Sequence, residues 1–150
     1  MEADKALRNA GFDHYEVSNY ARAGKRSRHN SSYWRRVPYA GIGPSAHSFD
    51  GTDRRWNERE YDAWKTRALA GEDPVAGRET LDENNAVAEV AYLGLRTSDG
   101  IAAGPLDEST VNQWIDAGWA ARNHGRITLT PEGWLRLDSL AAALTAVRSR

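Results

Sequence analysis

The chain has 150 residues, 40% hydrophobic and 27% charged, the balance of a soluble protein with a packed core in one domain or in a small domain joined to part of a larger one. No apolar run approaches the roughly 20 residues that span a bilayer, and Met-Glu-Ala-Asp-Lys has neither the basic start nor the apolar core of a signal peptide, so a cytoplasmic location is expected. The net charge is -1 and there are 0 cysteines, which excludes disulfides, thiolate zinc sites, cysteine nucleophiles and cysteine-ligated iron–sulfur clusters from this chain.

Ala3, Ala6, Leu7 and Ala10 recur at helical spacing and Gly11 supplies a stop, so a short helix is expected first. Phe12 to Val17 reads as a strand. One helix and one strand leave sheet edges unpaired, so this opening reads as the end of a larger α/β array. From Ser18 to Gly51 the pattern is irregular, rich in Gly, Ser, Arg and Asn, with Tyr33, Trp34 and Tyr39 embedded in it, which is the character of a functional loop. Arg22, Lys25, Arg26, Arg28, Arg35 and Arg36 fall there without one acidic residue between them and favour anions.

Asn57 with Glu60 forms a capping-box pattern for a helix carrying Tyr61, Trp64 and Ala68 and closed by Gly71; Thr80 with Glu83 repeats it ahead of a helix through Val87, Val90, Ala91 and Leu95. From Glu79 to Asp116 the charge is acidic, opposed only by Arg96. Asp107 to Ala117 reads as a helix presenting Val111, Trp114 and Ile115. Trp119 to Arg122 and Arg126 to Leu129 flank Asn123-His124-Gly125 as a hairpin, and Thr130 with Pro131 starts a last helix with the stripe Trp134, Leu137, Leu140, Leu144 and Val147. Helix, helix, hairpin, helix outlines a winged-helix-like domain over about residues 75–150.

Three strings in the first third, Tyr15-Glu16-Val17-Ser18-Asn19-Tyr20-Ala21, His29-Asn30-Ser31-Ser32-Tyr33-Trp34 and Tyr39-Ala40-Gly41-Ile42-Gly43-Pro44-Ser45-Ala46-His47-Ser48, precede Leu93-Gly94-Leu95-Arg96-Thr97 with Gly100-Ile101, and Leu129-Thr130-Pro131-Glu132-Gly133. In this order and spacing they resemble the C-terminal portion of the HemW/HemN family of radical S-adenosylmethionine proteins. The resemblance covers nearly the whole chain, and the HNxxYW string points to the HemW side.

It implies an α/β fragment, the end of a partial (β/α) barrel over 1–56, a connecting helix over 57–74, and a mostly helical, winged-helix-like C-terminal domain with a β-hairpin over 75–150. It also implies a parent protein with S-adenosylmethionine and a [4Fe–4S] cluster on a CxxxCxxC loop that this chain lacks, acting as a haem chaperone or a coproporphyrinogen III oxidase. No catalytic residue is expected in this chain, and no metal site built from protein side chains alone. Ser27 stands where many relatives carry Cys, which removes one soft metal ligand, and Ala23 where Pro is common before Gly24.

Under that resemblance His29, Asn30, Tyr33 and Trp34 become candidate haem-binding residues, since imidazole is a common axial ligand and aromatic rings stack on a porphyrin. The plainer alternative is a capped loop whose aromatics fill the core. Arg26, Arg28 and Arg35 are candidate partners for the propionates, guanidinium groups holding carboxylates in bidentate geometry, against an ordinary solvated basic loop. Gly41, Ile42 and Gly43 are candidate cofactor-proximal positions, two glycines permitting close backbone approach, against a tight turn; a third glycine and the Lys of phosphate loops are missing.

The partners so implied are haem or a porphyrin, with a separate radical SAM barrel or a haem-accepting protein. Two readings from other classes compete. One is a winged-helix-type nucleic-acid-binding or protein-interaction domain without catalytic activity; the helix near Asp107 to Ala117 carries Asp107, Glu108 and Asp116 and no basic residue, which argues against nucleic acid. The other is a piece with no activity of its own.

Overall fold

The computed structural model describes residues 2–104 and 106–148; the side chains at 83, 84 and 145–148, and with them those of Glu83 and Val147, lie outside that description. In chain order the elements are α1 (Glu2–Asn9), β1 (Asp13–Glu16), β2 (Asn19–Ala21), α2 (Arg28–Trp34), β3 (His47–Phe49), β4 (Asp53–Asn57), α3 (Tyr61–Leu69), β5 (Val75–Thr80), α4 (Glu83–Leu95), β6 (Ile101–Ala102), α5 (Glu108–Asp116), β7 (Ala120–Asn123), β8 (Arg126–Leu129), α6 (Pro131–Trp134) and α7 (Leu137–Arg148). The fold is mixed α/β with three small sheets among the described residues, ordered β1-β2, β3-β4-β5 and β6-β8-β7.

Two compact units result. One takes the residues up to Arg35 together with those from Val87 onward, and the other is Arg36–Ala86. Compactness in this chain therefore follows different lines from the 1–56, 57–74 and 75–150 segments that the family resemblance implies. The physical reason is pairing across the sequence: Glu16 bridges Thr97, Val17 N donates to Arg96 O at 3.1 Å and Ser98 N donates to Tyr15 O at 2.9 Å.

The core of the first unit is apolar and continuous. Leu95 and Ile127 are fully buried and pack with Ile101, Val111, Trp114, Leu129, Trp134, Leu137, Leu140 and Leu144. α5 forms as its sequence dictates: Asp107 caps it by accepting from Thr110 N at 2.8 Å, and Val111 and Trp114 turn inward one helical turn apart. His124 and Gly125 both take positive φ, 48° and 74°, which gives the tight two-residue reversal between β7 and β8 that the strand twist favours. Thr130 caps α6 with Pro131 at its start. The expected last helix is divided, α6 ending at Trp134 and α7 starting at Leu137, yet Trp134, Leu137, Leu140 and Leu144 all face the core. The indole of Trp134 donates to the Leu95 carbonyl at 2.9 Å, tying α6 to the end of α4.

Three expectations are corrected. The irregular stretch from Ser18 to Gly51 contains β2 and α2 in the first unit and β3 in the second. Asn57 is the last residue of β4 and its amide donates to Gly43 O at 2.9 Å, while Glu60 is itself the N-cap residue of α3 and makes no side-chain cap bond, so there is no capping box. Thr80 ends β5 and donates to Asp53 at 2.5 Å; Asp82 is the residue that caps α4, accepting from Asn85 N at 2.7 Å. The β3-β4-β5 sheet is antiparallel, with Trp56 of β4 lying over Gly77 of β5, where an added Cβ would fall 2.4 Å from the indole.

Candidate functional site

The HNSSYW string, with Arg28 before it, forms α2, a seven-residue helix with none of its residues fully buried. Ser27 builds its start. The hydroxyl accepts from Asn30 N at 3.2 Å, and the Ser27 backbone N–H donates to the Tyr15 hydroxyl at 3.3 Å. Where the family resemblance implies a thiol, this chain has a helix cap.

Within α2, residues four apart share a face. His29 and Tyr33 do so at the surface: the Tyr33 hydroxyl and His29 Nε2 share a hydrogen bond of 3.1 Å, with the rings edge to face at 4.9 Å and 80°. Asn30 and Trp34 lie about 100° further round the helix axis. Trp34 has the Arg96 guanidinium over its ring at 4.5 Å, and its indole nitrogen is buried with no hydrogen-bond partner among the described residues.

Arg96 leads to the most enclosed charge in the unit. Its Nε donates to Glu16 Oε2 at 3.0 Å, and Glu16 is 0% exposed. The other oxygen, Oε1, accepts from Ser18 N at 2.7 Å and from the Asn19 side-chain amide. Three donors thus converge on one carboxylate, the compensation a buried charge requires.

The basic residues divide. Arg26 and Arg35 both reach Asp99, at 3.2 and 3.5 Å, and Arg26 also lies over the Tyr15 ring at 5.4 Å. Arg28 is exposed and has no acidic partner among the described residues. Asp99 thereby holds together two arginines from the two ends of α2, in the way an external carboxylate would. Gly41, Ile42 and Gly43 belong to the other unit. Gly41 lies so close to the β3 backbone that a Cβ would fall 2.2 Å from His47 O, its N–H donates to Ser48 Oγ at 2.9 Å, and Ile42 is 91% exposed.

Sequence reading misses Tyr15, Glu16, Arg96 and Asp99 as members of this site. A lone arginine at 96 amid the acidic stretch is the one local signal for it. A second cluster joins α1 to β1 and β2: Asp4 takes hydrogen bonds from Arg8 at 3.2 Å and Tyr20 at 3.1 Å and faces His14 Nδ1 at 3.0 Å. Burial alone raises the Asp4 carboxyl, but the hydrogen bonds from Arg8 and Tyr20 and the charges of Arg8 and His14 overcome it and hold it below its ordinary value. Beside β1 is a surface hollow of about 520 Å³ lined by Arg8, Phe12, Asp13, His14, Arg26 and Ser98; its two arginines are already paired with Asp4 and Asp99.

No group of three or more His, Asp or Glu among the described residues is placed to hold a metal ion. The donor set does not fit an iron–sulfur cluster either, because such clusters take thiolates and the sequence has 0 Cys.

The fold matches part of a HemN-type structure. The solved structure of coproporphyrinogen III oxidase (HemN) from Escherichia coli matches 97% of this chain and 40% of its own with a TM-score of 0.68, at 13% identity. No protein-family model matches. Among curated proteins, the heme chaperone HemW of Mycobacterium tuberculosis is 31% identical over 144 residues, covering 94% of this chain and 37% of the relative. That of Synechocystis is 38% identical over 112 residues, covering 73% and 26%. The mitochondrial radical S-adenosyl methionine domain-containing protein 1 of Bos taurus is 39% identical over 109 residues, covering 67% and 25%. The chain belongs to the HemW/HemN family, and it spans less than two fifths of the length of these curated relatives.

Proposed function

We propose that the chain is the C-terminal part of a HemW-like haem chaperone of the cytoplasm, a radical SAM protein of haem metabolism, and that this part contributes to haem binding without an iron–sulfur site of its own. The observation that carries the reading is exposed His29, hydrogen-bonded to half-buried Tyr33 on a helix held by Ser27, Trp34 and Asp99, in a chain related to proteins named for haem. In the whole protein, residues 1–56 correspond to the end of the barrel, 57–74 to a connection and 75–150 to a winged-helix-like C-terminal domain, a description favoured by the order helix, strand, helix, hairpin, helix from Glu83 onward.

In this reading His29 offers an imidazole nitrogen to the haem iron, exchanging its bond to the Tyr33 hydroxyl if Nε2 is used, and the Tyr33 ring lies against the macrocycle. Arg28 meets one propionate directly. Arg26 and Arg35 meet the other by releasing Asp99, one carboxylate replacing another on the same guanidinium groups. Gly41, Ile42 and Gly43 stay candidate cofactor-proximal positions of the other unit, where Ile42 is exposed. S-adenosylmethionine and the [4Fe–4S] cluster belong to the parent protein, and no step here runs through them. The partner is a haem-accepting protein or a separately supplied barrel. The likeness to the oxidase is one of fold, so the chaperone reading is preferred to oxidation of coproporphyrinogen.

A haem titration followed in the Soret band tests the proposal. The chain is expected to give an imidazole-type shift that His29→Ala abolishes, with affinity weakened about 10-fold or more, above about 1.4 kcal/mol, while His124→Ala on the β7–β8 turn changes neither. Equal binding by both variants would remove His29 from the site.

A further inference from the structure

The contacts of α2 separate its side chains into two groups. His29 is exposed and shares an exposed hydrogen bond with the Tyr33 hydroxyl, so this pair meets the surface. Trp34 faces inward, its ring covered by Arg96 at 4.5 Å and its indole nitrogen out of solvent. A face already occupied by a guanidinium is closed to a porphyrin. Arg96 in turn is fixed by fully buried Glu16, whose other oxygen accepts from Ser18 N and the Asn19 amide in the turn after β1.

We infer that Trp34, Arg96 and Glu16 form a seat that positions α2, with Trp34 a positioning residue and His29 with Tyr33 the ligand-facing pair. The planar guanidinium suits this task, since one edge donates to a carboxylate while its face covers an indole; a lysine ammonium supplies charge without a face. The seat fixes the C-terminal end of α2, and the Ser27 contact to Tyr15 fixes the other. With both ends held, the outward pair keeps one orientation, and less ordering remains to be done when a ligand arrives. The role of the outward pair rests on the haem reading above; the seat itself does not.

Two measurements keep these apart. Amide exchange of Ser31 to Arg35 in the ligand-free chain reads the seat alone. Trp34→Ala and Arg96→Lys are each expected to speed it about 10-fold, as loss of a partly desolvated cation–π contact converts to. Trp34→Phe, which keeps an aromatic face for the guanidinium, should stay near the parent, and so should His29→Ala. The double variant Trp34→Ala, Arg96→Lys should be no faster than either single one. Unchanged exchange in Trp34→Ala, or additive effects in the double variant, overturns the seat.

Haem titration of the same variants reads the division of labour. Trp34→Ala should keep the imidazole-type Soret position at saturation while binding about 10-fold more weakly, whereas His29→Ala loses the spectral type. Loss of the spectral type in Trp34→Ala would make Trp34 a ligand contact and overturn the division. If the parent chain binds no haem, the functional reading fails while the exchange results still decide the seat.

Discussion

Replacing Glu16 by Gln changes the side chain least in shape and most in hydrogen-bonding capacity. The carboxylate is 0% exposed and accepts on both oxygens, Oε2 from Arg96 at 3.0 Å, Oε1 from Ser18 N at 2.7 Å and from Asn19. A glutamine has one acceptor oxygen and one NH2 group that only donates. Placed with its oxygen toward Ser18 and Asn19, it points NH2 at Arg96 Nε; turned over, it points NH2 at two donors. Neither orientation satisfies the site, and in both Arg96 loses the negative charge it pairs with. Breaking a buried ion pair from one side costs roughly 3–5 kcal/mol, and because Arg96 is 21% exposed and keeps its indole contact, the lower end, about 3 kcal/mol, applies. With a urea slope of about 2 kcal/mol per molar for a chain of this size, the midpoint falls by about 1.5 M when unfolding is followed at the amides of β7 and β8. Glu108→Gln is the control: Glu108 also pairs with an arginine, Arg122 at 2.5 Å, but the Glu108 side chain is 61% exposed, and no resolvable shift is expected there. A Glu16→Gln midpoint within about 0.5 M of the parent, about 1 kcal/mol at that slope, would refute the three-donor account.

Gly133 is expected to tolerate no side chain, because a Cβ there would lie 1.9 Å from the Trp119 carbonyl oxygen; Gly133→Ala should cost at least about 2 kcal/mol in urea unfolding, while Gly104→Ala, facing open space, should be neutral, and equal stability of the two variants would contradict the packing. Acidification should loosen α1. The Asp4 carboxyl is held below its ordinary value by bonds from Arg8 and Tyr20 that outweigh its burial, so its contribution is present above the unfolded-state value and is lost as pH falls through the lower folded one. Amide shifts of α1 followed from about pH 6 to about pH 2 should show that transition and Asp4→Asn should abolish it; persistence in the variant assigns it elsewhere.

What the sequence discloses is local. α5, the β7–β8 hairpin and the start of α6 are legible because their signals, Asp107, His124-Gly125 and Thr130-Pro131, each act within four residues on the backbone they precede. β4 and β5 are not, because Arg54, Arg55, Arg78 and Glu79 alternate with few apolar residues and the strands hold by pairing rather than by burial. Asn57 misleads for a related reason: an amide that caps helices equally well bonds a carbonyl across a sheet, here Gly43 O. The short α2 has no apolar period and falls inside the stretch that reads as irregular, so its cap at Ser27 emerges only in the fold.

The site is legible as strings and illegible as an arrangement. Glu16 belongs to the first string of the family resemblance, Trp34 to the second and Arg96 to the fourth, and nothing in their spacing says that they meet. In the folded unit they form one continuous contact, carboxylate to guanidinium to indole, joining residues 80 apart in sequence. A buried carboxylate without the arginine, or that arginine without the carboxylate, is costlier than either pairing. Each residue is therefore tolerable only because the others are present. That interdependence gives a physical reason for these strings to stand together in one chain, although no single one of them specifies a function.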